Sequence, residues 1–318
     1  MNAGVPLGLS SGLCWGAADF FGGIQSRRLP ALTVAFWSQL AGALALAIAL
    51  AIEGVRPAAT GIAWGLAAGV GSGCALVLFY RSLAEGTMSM VAPISACGAI
   101  VPVAAALLTG NQPGILAALG VLATIAGVIL VSRPHTPARF APPAVEGDQA
   151  SPASSARGGR RVVAMALGSA LGFGLFYVFV DAGAASTAGT AATTGAVAAA
   201  AAGTAGSHGS PLWVIAGARM SSLAILSMIA LVSRRSALRW PGRRIGAVAL
   251  VGIGDTGANL LFAYAATTGN LAVVGVLGSL YPVATVVLAR WLLRERLSGG
   301  QNVGVVLALT GVVLLAAA

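Results

Sequence analysis

The sequence predicts an all-α integral membrane protein with about ten transmembrane helices, arranged as two inverted five-helix repeats. Three observations carry this expectation. Hydrophobic residues make up 58% of the chain and charged residues only 8%, whereas about a quarter of an ordinary soluble domain is charged. About ten apolar segments are each long enough to cross ~30 Å of hydrocarbon. These segments divide five and five around a polar stretch at 133–161. An odd number of crossings turns the second set upside down, and inverted repeats around a central site are frequent among secondary transporters.

Taken in order, the spans are expected at 5–24, 31–52, 61–82, 87–109 and 113–132, then 162–181, 212–232, 245–267, 271–292 and 300–317. The chain thus divides into a first repeat at 1–132, a linker at 133–161 and a second repeat at 162–318. The first segment lacks a basic lead-in and reads as a retained span rather than a cleaved signal. The linker is rich in Pro, Ala, Ser and Arg, too polar to bury a core, and reads as a disordered cytoplasmic connector. Residues 183–210 are almost entirely Ala, Gly, Thr and Ser. They read as an extracellular loop, with an extra helix as the alternative.

Every basic residue is Arg, and the formal net charge is +10. One set of alternate loops and span ends carries sixteen of them: Arg27 and Arg28; Arg81; Arg133, Arg139, Arg157, Arg160 and Arg161; Arg234, Arg235, Arg239, Arg243 and Arg244; Arg290, Arg294 and Arg296. The opposite set carries only Arg56, and Arg219 lies within a span. Arginine-rich loops stay in the cytoplasm, so both termini are expected outside. Loop topology therefore accounts for the basic charge, and nucleic acid is not an expected partner. Cys14, Cys74 and Cys97 lie in apolar segments without CxxC spacing and read as small buried hydrophobes, not as metal ligands.

The halves resemble each other. Val101-Pro102-Val103-Ala104 matches Tyr281-Pro282-Val283-Ala284, Gly120 and Gly127 match Gly304 and Gly311, Trp15-Gly16 matches Phe173-Gly174, and Pro30 matches Pro211. Glycines recur every fourth residue at Gly4, Gly8, Gly12 and Gly16 and at Gly61, Gly65, Gly69 and Gly73. That spacing makes a flat helical face for close packing in lipid, or a surface on which one bundle slides against another. Pro93, Pro102 and Pro282 interrupt spans four and nine and are gating or kink candidates, because a proline removes one ladder hydrogen bond and broken helices at matching places point to a transport site.

An ionisable group at mid-bilayer costs roughly 2.5–3.5 kcal/mol on insertion scales and marks function by default. Asp255 sits near the middle of span eight, with Asn259 on the same face, and is the leading candidate for a titrating or cation-binding group. Asp19, one turn beyond Trp15, is either a substrate group or the partner of Arg27 or Arg81. Arg219 is expected to pair with Asp181 at similar depth, with anion recognition as the second reading. Arg81 and Glu85 read as interfacial anchors. Tyr177, which aligns with Asp19 in the repeat, and Tyr281, before the span-nine proline, are the aromatic site candidates beside Trp15.

Leu13-Cys14-Trp15-Gly16 resembles the opening motif of EamA-type transporters of the drug/metabolite transporter superfamily. Arg294-Glu295-Arg296-Leu297-Ser298 resembles that family's Gly-Glu-Arg-Leu-Ser turn, with Arg294 in place of the usual Gly. The matching turn of the first half, Gly110-Asn111-Gln112-Pro113, lacks the Glu-Arg pair. Asp19-Phe20-Phe21-Gly22-Gly23 and Gly254-Asp255-Thr256-Gly257-Ala258-Asn259 resemble a less characterised branch. The resemblance implies alternating access around a central cavity lined mainly by spans one, three, four, six, eight and nine.

The function expected is secondary transport of a small metabolite, amino-acid-like compound or drug across the cytoplasmic membrane. Efflux is the expected direction, and protons are a candidate coupling ion. An importer of metabolites or sugars is the alternative. A membrane-embedded enzyme is a weaker reading, since His135 and His208 lie in predicted loops and no HExxH, GxSxG or paired-acid motif is present. A non-transporting scaffold predicts no ligand at all. Neither a cofactor nor a metal is expected.

Overall fold

The computed structural model describes residues 4–54, 57, 59–108, 114–131, 152–188, 212–233, 238–268 and 277–317, some side chains within these ranges excepted. Arg56, His135, His208, the Gly110–Pro113 turn, most of the expected linker and most of 183–210 lie outside them. The described residues form α1 (Gly4–Ser26), α2 (Ala31–Glu53), α3 (Ala59–Glu85), α4 (Met88–Ala96), α5 (Ile100–Leu108), α6 (Ile115–Val131), α7 (Pro152–Ala188), α8 (Leu212–Val232), α9 (Ile245–Thr268), α10 (Tyr281–Leu292) and α11 (Gly299–Ala316). No strand occurs among them.

Six helical segments among the described residues are long and apolar enough to cross a membrane, one of them the α4–α5 pair taken together; α6, α10 and α11 are shorter apolar helices. Glycines and Asp19 dilute the hydropathy of α1, although it is 23 residues long. Helix α7 begins at Pro152, within the expected linker, and runs on to Ala188, past the expected end of its span.

The burial pattern is that of a protein solvated by lipid. Large apolar side chains face outward, with Ile52 80%, Leu108 90% and Ile115 82% exposed. Hydroxyls are buried instead, and they satisfy backbone carbonyls where no water is at hand. Ser11 donates to the Ala258 carbonyl at 2.8 Å, and Thr285 donates to the Gly16 carbonyl at 3.0 Å. Cys97 is buried and its thiol donates to the Pro93 carbonyl at 3.2 Å, but Cys74 is exposed on the helix surface, against the expectation of burial.

The helix pairings exchange when the two halves exchange. α1 packs on α9 and α10, and α7, the corresponding helix of the second half, packs on α3 and α4. α3 packs on α8 as α9 packs on α2, while α6 and α11 pair with each other. Glycines set these distances. A Cβ on Gly65 or Gly69 would run into the α8 backbone at Val214 or Ala218, and one on Gly16 would lie 3.1 Å from the Thr285 nitrogen and closer to Tyr281. Gly127 and Gly304 do the same for α6 and α11. The packing face read from the sequence is therefore the contact face of α3 on α8 and of α1 on α10.

The paired Pro motifs also occupy matching places. Span four is interrupted by a 3-10 turn at Cys97–Ala99, and α5 restarts with Pro102 in its first turn. In the second half α10 starts at Tyr281, with Pro282 in its first turn after the turn at Ser279 and Leu280. Pro282 therefore opens a helix rather than kinking one, because the missing N–H falls where the helix has no partner for it. Pro93 does lie inside α4.

Candidate functional site

A cavity of about 180 Å³ lies between the two halves. Trp15, Ala18 and Asp19 of α1, Ser38 and Gln39 of α2, and Ser72, Leu76 and Tyr80 of α3 line it from one side. Phe173, Phe176, Tyr177 and Val180 of α7, Arg219 and Ser222 of α8, Asp255, Asn259 and Phe262 of α9, and Tyr281 of α10 line it from the other. All seven residues singled out as binding or coupling candidates (Asp255, Asn259, Asp19, Trp15, Tyr177, Tyr281 and Arg219) therefore border one space. The three prolines do not border it. Spans two and seven contribute walls that the resemblance did not imply, and span four contributes none among the described residues.

Arg219 forms an ion pair with Asp255; the side chain of Asp181, its expected partner, lies outside the described residues. The other Nη of Arg219 donates to Gln39 Oε1 at 2.5 Å, and the Asp255-facing Nη also reaches Thr256 Oγ1 at 3.3 Å. Thr256 in turn donates to the Gly42 carbonyl at 3.0 Å. One guanidinium thus ties α8 to α2 and α9. It sits there because α2 and α9 meet at glycines: a Cβ on Gly42 would stand 2.8 Å from Thr256 Oγ1 and 3.2 Å from Arg219 Nη1. The Arg219 side chain is 8% exposed and that of Asp255 37% exposed. The guanidinium is shut in, while the carboxylate keeps a face toward the cavity.

Asp19 takes neither of its expected partners. Arg27 bonds Glu295 at 3.2 Å, and Arg81 bonds Glu85 at 2.8 Å. Among the described residues no ion pair or hydrogen bond engages the Asp19 carboxylate, which borders the cavity. Asn259 donates from Nδ2 to the Asp255 carbonyl at 2.7 Å, one helical turn back, which leaves its amide oxygen available. Ser222, a lining residue, is buried with an unpartnered hydroxyl.

Aromatic rings build the remaining wall. Trp15 packs on Phe262 with centroids 5.7 Å apart and meets Tyr281 edge-on at 6.5 Å. Phe176 and Tyr177 stand edge-on at 5.5 Å. Such T-shaped contacts fix ring orientation through the aromatic quadrupole. The sequence reading missed Gln39, Ser38 and Ser222. Their one signal was polarity inside an apolar span, too common among serines to single them out.

The sequence matches the EamA-like transporter family over residues 2–133 and again over 186–317. The chain belongs to the EamA-like transporter family. Its second match opens at the C-terminal end of α7, beyond the segment that the internal repeat pairs with α1. One solved crystal structure, described only as that of a protein, shares 17% identity with this EamA-like chain at a TM-score of 0.59, covering 98% of this chain and 95% of its own. That likeness establishes a common fold over nearly the full length. No curated protein matches the sequence. The family assignment makes this a multi-pass membrane protein of a transporter family, built from two repeats.

Proposed function

We propose that this protein is a secondary transporter which moves a small metabolite, amino-acid-like compound or drug across the cytoplasmic membrane by alternating access. Its direction is efflux, and the proton gradient drives it. One observation carries the reading: a cavity receives walls from both halves and is bordered by Asp19, Arg219 and Asp255, three ionisable groups within the spans. Two helices that line it, α1 and α3, pack on α10 and α8 through glycine faces, and paired helix breaks lie in spans four and nine. These are places where one half can tilt against the other without large side chains to unlock. The arginine-rich ends face the cytoplasm in this reading, and both termini face outward.

The test is flux in proteoliposomes that contain the purified chain and a panel of labelled amino-acid-like compounds, metabolites and drugs. Gradient-dependent movement of at least one solute is expected, and Trp15→Ala, which removes the ring joining Phe262 to Tyr281, should lower it. Flux that persists unchanged when the proton gradient is collapsed argues against coupling. Net uptake in cells, in place of release, assigns the chain as an importer.

A further inference from the structure

We infer that the cargo is an organic cation and that Asp19, not Asp255, is its counter-ion. This inference rests on the transport reading above and names its substrate class. Among the described residues the cavity borders one guanidinium and two carboxylates. Arg219 is spent: it is buried, and Asp255, Gln39 and Thr256 already accept from it. Among the described residues no other basic side chain lines the space. An anionic or zwitterionic cargo therefore finds no free cationic group for its negative charge. Asp255 is neutralised by the same ion pair. What is left over is the carboxylate of Asp19, which in its ionised form lacks a counter-charge among the described residues.

The walls complete the argument. Trp15, Tyr80, Phe176, Tyr177, Phe262 and Tyr281 surround this carboxylate's cavity with π-faces and phenol groups. A ring face attracts a cation through its quadrupole, most strongly where water is excluded. An unpaired carboxylate amid aromatic rings is the chemistry that recognises an ammonium or other organic cation with an apolar body. A strongly hydrated inorganic ion would gain little from such walls.

The experiment measures binding of four probes of similar size to the full-length protein in detergent by ligand-dependent thermal stabilisation, since a ligand of the folded state must raise its stability. The probes are benzyltrimethylammonium, its uncharged isostere neopentylbenzene, zwitterionic phenylalanine and anionic phenylacetate. Benzyltrimethylammonium should bind about tenfold or more tightly than each of the others. Asp19→Asn should abolish that preference, Asp19→Glu should retain most of it, and Tyr177→Leu should weaken the cation more than the isostere. Equal binding of the isostere, tighter binding of phenylalanine or phenylacetate, a preference that survives in Asp19→Asn, or no binding of the cation by a protein that melts cooperatively would each overturn the inference. Vesicles that move only neutral or zwitterionic solutes overturn the cation assignment and leave the transporter intact. A cation that binds through Asp19 but is never moved overturns the transporter and leaves the site.

Discussion

At the scale of single residues, Arg219 is the group on which the cavity is organised. A charge inside a span is stable only if its donors are met, and here Gln39, Thr256 and Asp255 meet them from two neighbouring helices. Burial is unequal across the pair, and that sets the sign of an asymmetry. Removing Asp255 strands a guanidinium that is 8% exposed, whereas removing Arg219 leaves a carboxylate that is 37% exposed and hydrated through the cavity. Breaking a buried pair from the side that leaves an uncompensated charge costs about 3–5 kcal/mol. Asp255→Ala should therefore destabilise the protein by about that much, Arg219→Met by about 1–2 kcal/mol, in the range for losing a charged hydrogen bond, and the double variant by clearly less than the sum. Unfolding titrations in mixed detergent micelles read all three; equal, additive penalties would show that the two charges do not act as a pair. The residues of this core were visible in the sequence because each interrupts an apolar run. Their partners were not. Asp181 and Asp255 are both expected within reach of Arg219 by span depth, and depth is all that a hydropathy pattern reports. That Asp255 meets Arg219 depends on where α2 and α9 meet, at Gly42 and Gly252, a tertiary fact.

Among the elements, the turn from Leu293 to Ser298 connects most of the basic end of the molecule. Glu295 accepts the Met88 and Ser89 amide hydrogens at 2.9 and 2.8 Å and the Arg27 guanidinium at 3.2 Å. Arg27 also donates to the Gly86 carbonyl at 3.1 Å. One carboxylate thus caps α4, where first-turn amides lack helical partners and the helix dipole favours negative charge, and holds α1 and the α3–α4 turn beside it. Ser298 and Gln301 form a capping box that starts α11. Arg294 adopts φ 53°, the left-handed region. That explains why a glycine suits this place in the family's turn and why this chain carries some strain there. Hydrogen bonds to charged groups contribute about 1.5–3 kcal/mol each. Glu295→Ala should lower stability by about 3 kcal/mol and reduce transport. Glu295→Gln should fall between, since its amide keeps one acceptor oxygen but places an N–H₂ where the second is needed. If Gln and Ala variants melted together at the wild-type temperature, the clamp would contribute nothing. The sequence disclosed this turn as a motif, and it disclosed the helix breaks, because proline acts locally. It did not disclose that Pro282 opens α10 instead of bending it, since periodicity cannot tell a helix start from a helix interior in an unbroken apolar run.

For the whole molecule, the loop arginines are concentrated in one alternate set, and the contacts show which loops share an end. Arg27 reaches Glu295, Arg161 approaches Glu85 at 3.8 Å, and Trp37 near the start of α2 packs on Trp240 before α9 with centroids 4.9 Å apart. The α1–α2 loop, the α3–α4 turn, the start of α7, the α8–α9 connection and the α10–α11 turn therefore lie together. These are the segments that hold or adjoin the arginine-rich set. The far end is marked by Tyr264 donating to Glu53 at 3.0 Å, beside the segment that holds Arg56. Alternate loops share one end only if each intervening segment crosses the bundle, so the geometry and the arginine count support the same inverted arrangement. Positive loops are retained in the cytoplasm, and the proposed orientation takes its sign from that rule. With Cys14, Cys74 and Cys97 replaced, Arg28→Cys at the basic end should resist a membrane-impermeant maleimide on intact cells and react once the cells are opened. Pro57→Cys at the far end should react in both conditions. The opposite pattern would reverse the molecule in the membrane and with it the direction assigned to efflux. Labelling of both positions from outside would show that these ends do not lie on opposite faces, and the inverted-repeat topology would fall with them.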